Sequence, residues 1–132
     1  MARMTARQKF DNAGPAKVHP LDPAKAARLG GATMLIPSPQ NLVDAINAIP
    51  SGTTVPIREL RDRMAKAAGA ECTCPMVAGI YWRIIAELSE EGELPTTPWW
   101  RVTLDGKPNP KLPGGIQRHR ELILAEQPTP AI

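Results

Sequence analysis

The chain has 132 residues, of which 42% are hydrophobic and 22% charged. That is the composition of one soluble globular domain and excludes a wholly disordered chain. No run approaches the roughly eighteen apolar residues of a membrane span, and the basic start through Lys9 leads into Phe10-Asp11-Asn12 rather than an apolar segment, which argues against a secretory leader. The formal net charge of +3 is unevenly placed. Residues 1–28 carry six basic and two acidic side chains, a net +4, whereas residues 29–132 carry ten against eleven, a net −1.

Residues 1–30 show no sustained period, and Pro15, Pro20, Pro23 and Gly30-Gly31 interrupt them. They are read as an irregular basic arm with one short helix over Pro23–Leu29, able to add salt-sensitive phosphate contacts or simply to be a solvated tail. The domain proper is placed at 31–132. Thr33-Met34-Leu35-Ile36 reads as a short strand, and Ser38-Pro39 as a helix start with Ser38 at the N-cap. Leu42, Val43, Ile46 and Ile49 follow at helical spacing until Pro50-Ser51-Gly52.

A second helix opens at Pro56, with Ile57, Leu60 and Met64 inward, and Gly69 ends it. A third starts at Pro75. Its Val77, Ile80, Tyr81, Ile84, Ile85 and Leu88 form the strongest apolar stripe in the chain, which leaves Met76, Gly79, Trp82, Arg83 and Ala86 on the outer side. Trp99 to Leu104 reads as a strand, Asp105-Gly106 as a turn, and Lys107 to Pro113 as a loop. After Gly114-Gly115 a last helix runs from Ile116 to Gln127, burying Ile116, Leu122 and Ile123, with His119 exposed between Arg118 and Arg120. Pro128 and Pro130 end the fold. The expected class is therefore mainly α: a winged helix-turn-helix with a short strand or wing and a closing C-terminal helix.

Pro98-Trp99-Trp100-Arg101-Val102, then Asp105-Gly106, then Gly114-Gly115 heading a helix that reaches Glu126, resembles the active-site segment of the DNA-binding domain of O6-alkylguanine-DNA alkyltransferases. That family carries a Pro-Cys-His-Arg-Val motif, a loop, a Gly-Gly and a closing helix with a late glutamate. Ile49-Pro50-Ser51-Gly52-Thr53-Thr54-Val55 is similar to the family's entry to its first DNA-binding helix, and Pro75 to Gly79 occupies the start of its recognition helix. The likeness spans Leu35 to Gln127.

The departures carry the chemistry. The family's acceptor cysteine corresponds to Trp99 and its activating histidine to Trp100, and tryptophan offers no nucleophile. Tryptophan at that position marks the alkyltransferase-like branch, whose members bind alkylated bases without removing the alkyl group. Met76 stands where the family's inserting arginine would be, and Ile57 where its nucleotide-rotating tyrosine would be. An apolar wedge can still part base steps.

The resemblance implies DNA contacts from Pro75, Met76, Gly79, Trp82 and Arg83, and a base pocket from Trp99, Trp100, Arg101, Pro113 and Gly114. Trp99 and Trp100 either stack on an extruded base or divide between core and loop as strand alternation demands. Arg101 is expected in a buried ion pair, with Glu126 as partner, or in carbonyl contacts. Cys72 and Cys74, one residue apart, imply a reducing, cytoplasmic setting. Cys74 at a helix N-terminus invites a reactive thiol, but the burial habit of free cysteine favours an inert one, and Cys-x-Cys without nearby ligands is a poor zinc signature.

The leading expectation is a non-enzymatic, monomeric protein of the alkyltransferase-like type. It would bind duplex DNA, alkylated guanine included, without cofactor, metal or membrane, and hand lesions to a repair-protein partner. Two alternatives stand beside it: a protein-interaction module on the same scaffold, and a thiol alkyl acceptor using Cys74.

Overall fold

The computed structural model describes residues 4–94 and 97–127. Pro128 and Pro130 lie outside these. Residues 4–30 are not irregular. Thr5 caps α1 (Ala6–Asn12), accepting the Gln8 N–H at 3.1 Å while the Gln8 side chain accepts the Thr5 N–H at 2.8 Å. This reciprocal pair satisfies two otherwise orphaned donors. The spacing Thr5-x-x-Gln8 is thus a start signal that apolar periodicity alone does not reveal. β1 (Lys17–Pro20) follows, then α2 (Pro23–Leu29), which Asp22 caps and Gly30 ends at φ 83°.

β2 (Thr33–Ile36) is the centre of a three-stranded sheet. It pairs antiparallel with β1 and parallel with β4 (Cys72–Thr73). The segment between α2 and β2 is tied down by Glu71, whose carboxylate accepts the N–H groups of Ala32 and Thr33. Gly31 is needed there, because a Cβ on it would sit 2.6 Å from Glu71 Cβ.

Helix α3 (Pro39–Asn47) starts at Ser38 in a second capping box, closed by Asn41. β3 (Val55–Pro56) leads into α4 (Ile57–Ala68), which ends at Gly69 in the left-handed conformation that terminates helices readily. α5 (Pro75–Glu90) comes next, and β5 (Val102–Thr103) pairs parallel with β3. Asp105 and Gly106 both have positive φ, 49° and 89°, and Leu104 and Lys107 bridge across them. Two successive positive φ values are what a tight two-residue hairpin turn demands. α6 (Gly115–Ala125) closes the described chain. The domain is mainly α, and among the described residues no helix is long and apolar enough to cross a membrane.

The main core joins Leu35, Leu42, Ile46, Ile49, Leu60, Trp82, Ile85, Trp99, Val102 and Leu112. A smaller cluster of Ala6, Ile84 and Leu88, flanked by Phe10 and Tyr81, seats α1 on α5. These two clusters correct the orientation expected for α5. The helix buries Ala78, Trp82, Ile85 and Ala86 in one direction and Ile84 and Leu88 in another. Ile80 is left 51% exposed and Met76 71%. The small residues Ala78 and Ala86, four positions before and after Trp82, clear the space for its indole, and α1 takes the face that would otherwise meet solvent.

Two further expectations are corrected. Trp99–Arg101 is a 3₁₀ turn, and only Val102 and Thr103 are extended. β3 supplies just two residues of ladder, so the carbonyls of 99 and 100 find other partners. That of Trp99 accepts the Trp82 Nε1–H at 3.1 Å, and that of Trp100 lies 3.1 Å from His119 Nε2. His119 is itself fully buried, whereas Ile116 is 44% exposed; Leu122 and Ile123 are half-buried.

Candidate nucleic-acid interface

An open cavity of about 470 Å³ lies between the first turns of α4 and α5 and the loop 104–112. Its apolar lining comes from Ile57, Pro75, Met76, Gly79, Ile80, Leu104, Pro110 and Leu112, with Trp82 at its floor. Arg61, Arg83 and Lys111 supply the charge, and among the described residues no carboxylate lines it. Arg83 also bonds Glu87 one turn along α5, Nε to Oε1 3.1 Å. Low-dielectric walls with cations of one sign raise the local concentration of anions. Four of the five residues expected to touch DNA, Pro75, Met76, Gly79 and Arg83, are exposed along this groove. The fifth, Trp82, is corrected: at 1% exposure it is core, with its indole N–H spent on Trp99.

The expected base pocket is not assembled as such. Trp99 is fully buried, meeting Trp100 edge-on at 6.0 Å between ring centroids and His119 at 5.3 Å. Neither Trp99 nor Trp100, Arg101, Pro113 or Gly114 lines the groove. The reason is the 3₁₀ turn, which sends the Trp99 ring inward and leaves Trp100 half-buried beside α6. Gly114, at φ 78°, starts α6 in a conformation that other residues resist, and a Cβ there would lie 2.4 Å from Arg118 Cβ. Its role is to bring the loop end against α6.

Arg101 stands where the sequence places it. Its Nε lies 3.0 and 3.1 Å from the two Glu126 oxygens, its Nη2 donates to the same carboxylate, and its Nη1 donates to the Ile49 carbonyl at 2.7 Å. Glu126 further accepts from Trp100 Nε1 and from Ser51 Oγ. One carboxylate therefore ties α6 to the 3₁₀ turn and to the segment after α3. Hydrogen bonding from Arg101, seconded by Trp100 and Ser51, holds the Glu126 carboxyl below the usual carboxylate range against the opposing effect of burial.

His119 holds the groove's outer wall. The Asn109 N–H donates to its Nδ1 at 2.9 Å, so the proton is on Nε2 and donates to the Trp100 carbonyl. Asn109 Oδ1 in turn accepts the Lys111 N–H. Burial pushes the imidazole below its ordinary pKa, outweighing the backbone bonds that favour the charged form. Protonating Nδ1 would also turn the acceptor of Asn109 into a donor. The sign follows: the unfolded chain takes the proton more readily, so stability is complete above about pH 6.5 and falls as the pH drops from there toward the folded value. The loss approaches about 1.4 kcal/mol per pH unit within that window. Urea midpoints measured from pH 8 to pH 5 are expected to show this drop, and His119→Gln to flatten it.

The sequence pattern does not reveal Arg61, Lys111 or Asn109 as groove residues. Arg61 lies four positions after Ile57, one turn along the same face of α4, which was its only signal. The loop pair is brought there by His119, ten residues away. Cys72 is buried, its thiol 3.4 Å from the Thr33 carbonyl, and burial pushes its pKa up, with the Glu71 charge adding to this. Cys74 is half-buried at the N-cap of α5 and makes no side-chain cap. Among the described residues no three His, Cys, Asp or Glu side chains gather as a metal site. Comparison of the chain with protein-family models, with curated proteins and with solved structures gives no match.

Proposed function

We propose that the protein is a non-enzymatic DNA-binding protein of the alkyltransferase-like type that engages duplex DNA, alkylated guanine included, through a helix-turn-helix formed by α4 and α5. The observation that carries the proposal is the groove beside the start of α5: exposed Met76 and Ile80, the cations Arg61 and Lys111 with Arg83 shared with Glu87, and no lining carboxylate among the described residues. Cations position a protein on phosphate without reading sequence, and an exposed methionine is suited to wedging between base steps. The hairpin at Asp105-Gly106 serves as the wing in this reading. The seat for an unstacked base is the groove, with Leu104 and Leu112 as its walls, and not the face of the buried Trp99. With tryptophan at the acceptor position, binding proceeds without alkyl transfer.

A second reading, a protein-interaction module on the same surface, is favoured by the apolar character of Met76 and Ile80. Fluorescence anisotropy of labelled duplexes, with and without one O6-methylguanine, at two salt concentrations separates the two. The expected result is salt-sensitive binding that prefers the alkylated duplex. Met76→Glu, which places a negative charge in the groove, should weaken it at least tenfold while the unfolding free energy stays within about 0.5 kcal/mol, as for an ordinary surface change. Failure of either duplex to bind at low salt would sink the DNA reading and leave the interaction module.

A further inference from the structure

Helix α1 is too short to be stable alone, yet it is capped at its start and seated on α5 through Ala6, with Phe10 against the same cluster. This seating places Lys9 in a cleft of about 390 Å³ with Ile80, Arg83, Ile84 and Glu87. Ile80 and Arg83 line that cleft and the groove alike, so the two depressions border the same exposed stripe of α5 from either side. At 100° per residue, Gly79 and Trp82 fall on one flank of the stripe and Ile84 and Leu88 on the other. Arg61 and Lys111 therefore stand on the groove flank and Lys9 on the α1 flank. The stripe itself shows Met76, Ile80 and Arg83, and Glu87 is occupied by Arg83. Lys9 is exposed and has no ion-pair partner among the described residues. By contrast, Arg7 on the same helix is paired with Asp11 at 3.0 Å.

We propose that the nucleic-acid surface extends onto α1, with Lys9 holding one phosphate backbone of a bound duplex while Arg61 and Lys111 hold the other, on either side of the α5 stripe. The inference rests on the duplex-DNA reading above and adds the partner surface that it does not use. Two cationic flanks around an apolar ridge match a helix entering a groove that a phosphate strand borders on each side. The leading segment then orients the duplex as part of the folded domain, and not as a loose tail.

The test is the salt dependence of duplex affinity for the full chain, for Lys9→Gln, and for Lys25→Gln as a control on α2, which lines neither depression. Each phosphate contact removed lowers the slope of log K against log salt by about 0.9. Lys9→Gln should show that reduction, with several-fold weaker binding at low salt and a smaller difference at high salt. Lys25→Gln should match the parent, and all three should unfold at the same urea concentration. A parent slope retained in Lys9→Gln overturns the α1 contact and leaves the duplex-DNA reading standing. A reduction equal in Lys9→Gln and Lys25→Gln also overturns it, since the effect would then be net charge alone. A parent chain that binds no duplex overturns both.

Discussion

Replacing Trp82 by alanine should cost about 3–5 kcal/mol of folding free energy, the range for deleting a fully buried large aromatic side chain. Trp82 is 1% exposed, lies in the main core, meets His119 edge-on at 6.1 Å, and gives its indole proton to the Trp99 carbonyl. The alanine variant loses three things together: apolar burial, an aromatic contact and one of the two donors to the Trp99 carbonyl. Trp82→Phe separates them. It keeps most of the volume and leaves the Trp99 carbonyl with the Val102 N–H alone, a loss of about 0.5–1.5 kcal/mol, as for one hydrogen bond. Chemical unfolding of the three proteins measures the differences. The phenylalanine variant, assayed under conditions where it is folded, should bind duplex DNA as the parent does, because Trp82 is the floor of the groove and not its edge. A weakened affinity in folded Trp82→Phe would instead mark the indole as part of the binding surface.

Trp82 also shows where sequence stops determining structure. Elements bounded by local chemistry are legible: Ser38-Pro39 and Gly69 start and end helices where expected, Asp105-Gly106 turns the chain, and Asp22-Pro23 with Gly30 brackets α2. The orientation of α5 is not legible, because the helix is apolar on more than one side. Which side faces the core depends on α1, about seventy residues earlier, filling the second. The same holds for Trp99–Arg101. Its aromatic residues favour a strand, but its carbonyls are claimed by Trp82 and His119 from distant helices.

His119 is a nearer miss. It lies between two arginines, which suggests solvent. Yet it falls three positions before Leu122 and four before Ile123, the two half-buried apolar residues of the helix. Of the candidate site, the α5 residues are legible from position within a helix start, and the cations opposite them are not. Arg101 and Glu126 are legible as a pair through the family resemblance, which implies a structural arginine after the two tryptophans and a late glutamate on the closing helix.

Removing that carboxylate is the other large effect. Glu126 compensates an Arg101 side chain that is only 16% exposed, and it also accepts hydrogen bonds from Trp100 and Ser51. In Glu126→Gln the charge of Arg101 stays in place with one neutral oxygen to face, while the new amide aims donors at donors. Breaking a fully buried pair by deleting one partner costs about 3–5 kcal/mol. The residual solvent access here screens part of that, so a loss of about 2–4 kcal/mol is expected. Arg101→Met should cost less than Glu126→Gln, since the carboxylate keeps Trp100 and Ser51 as donors, whereas the guanidinium left behind in Glu126→Gln keeps the Ile49 carbonyl and one neutral oxygen. The double variant should cost less than the two single losses added together, as for any pair in direct contact.

The pH dependence supplies a separate check. Because the folded carboxyl is held below its ordinary range by Arg101, its contribution is present at neutral pH. It disappears as the pH falls through the carboxylate range toward the folded value. The parent chain should therefore lose stability in that acid window, and Glu126→Gln should lose less across it, having no carboxyl there to protonate. An acid limb of equal steepness in both proteins would mean that Glu126 is not held as the bonds around it require. The joint between α6 and the 3₁₀ turn would then owe its stability to packing alone.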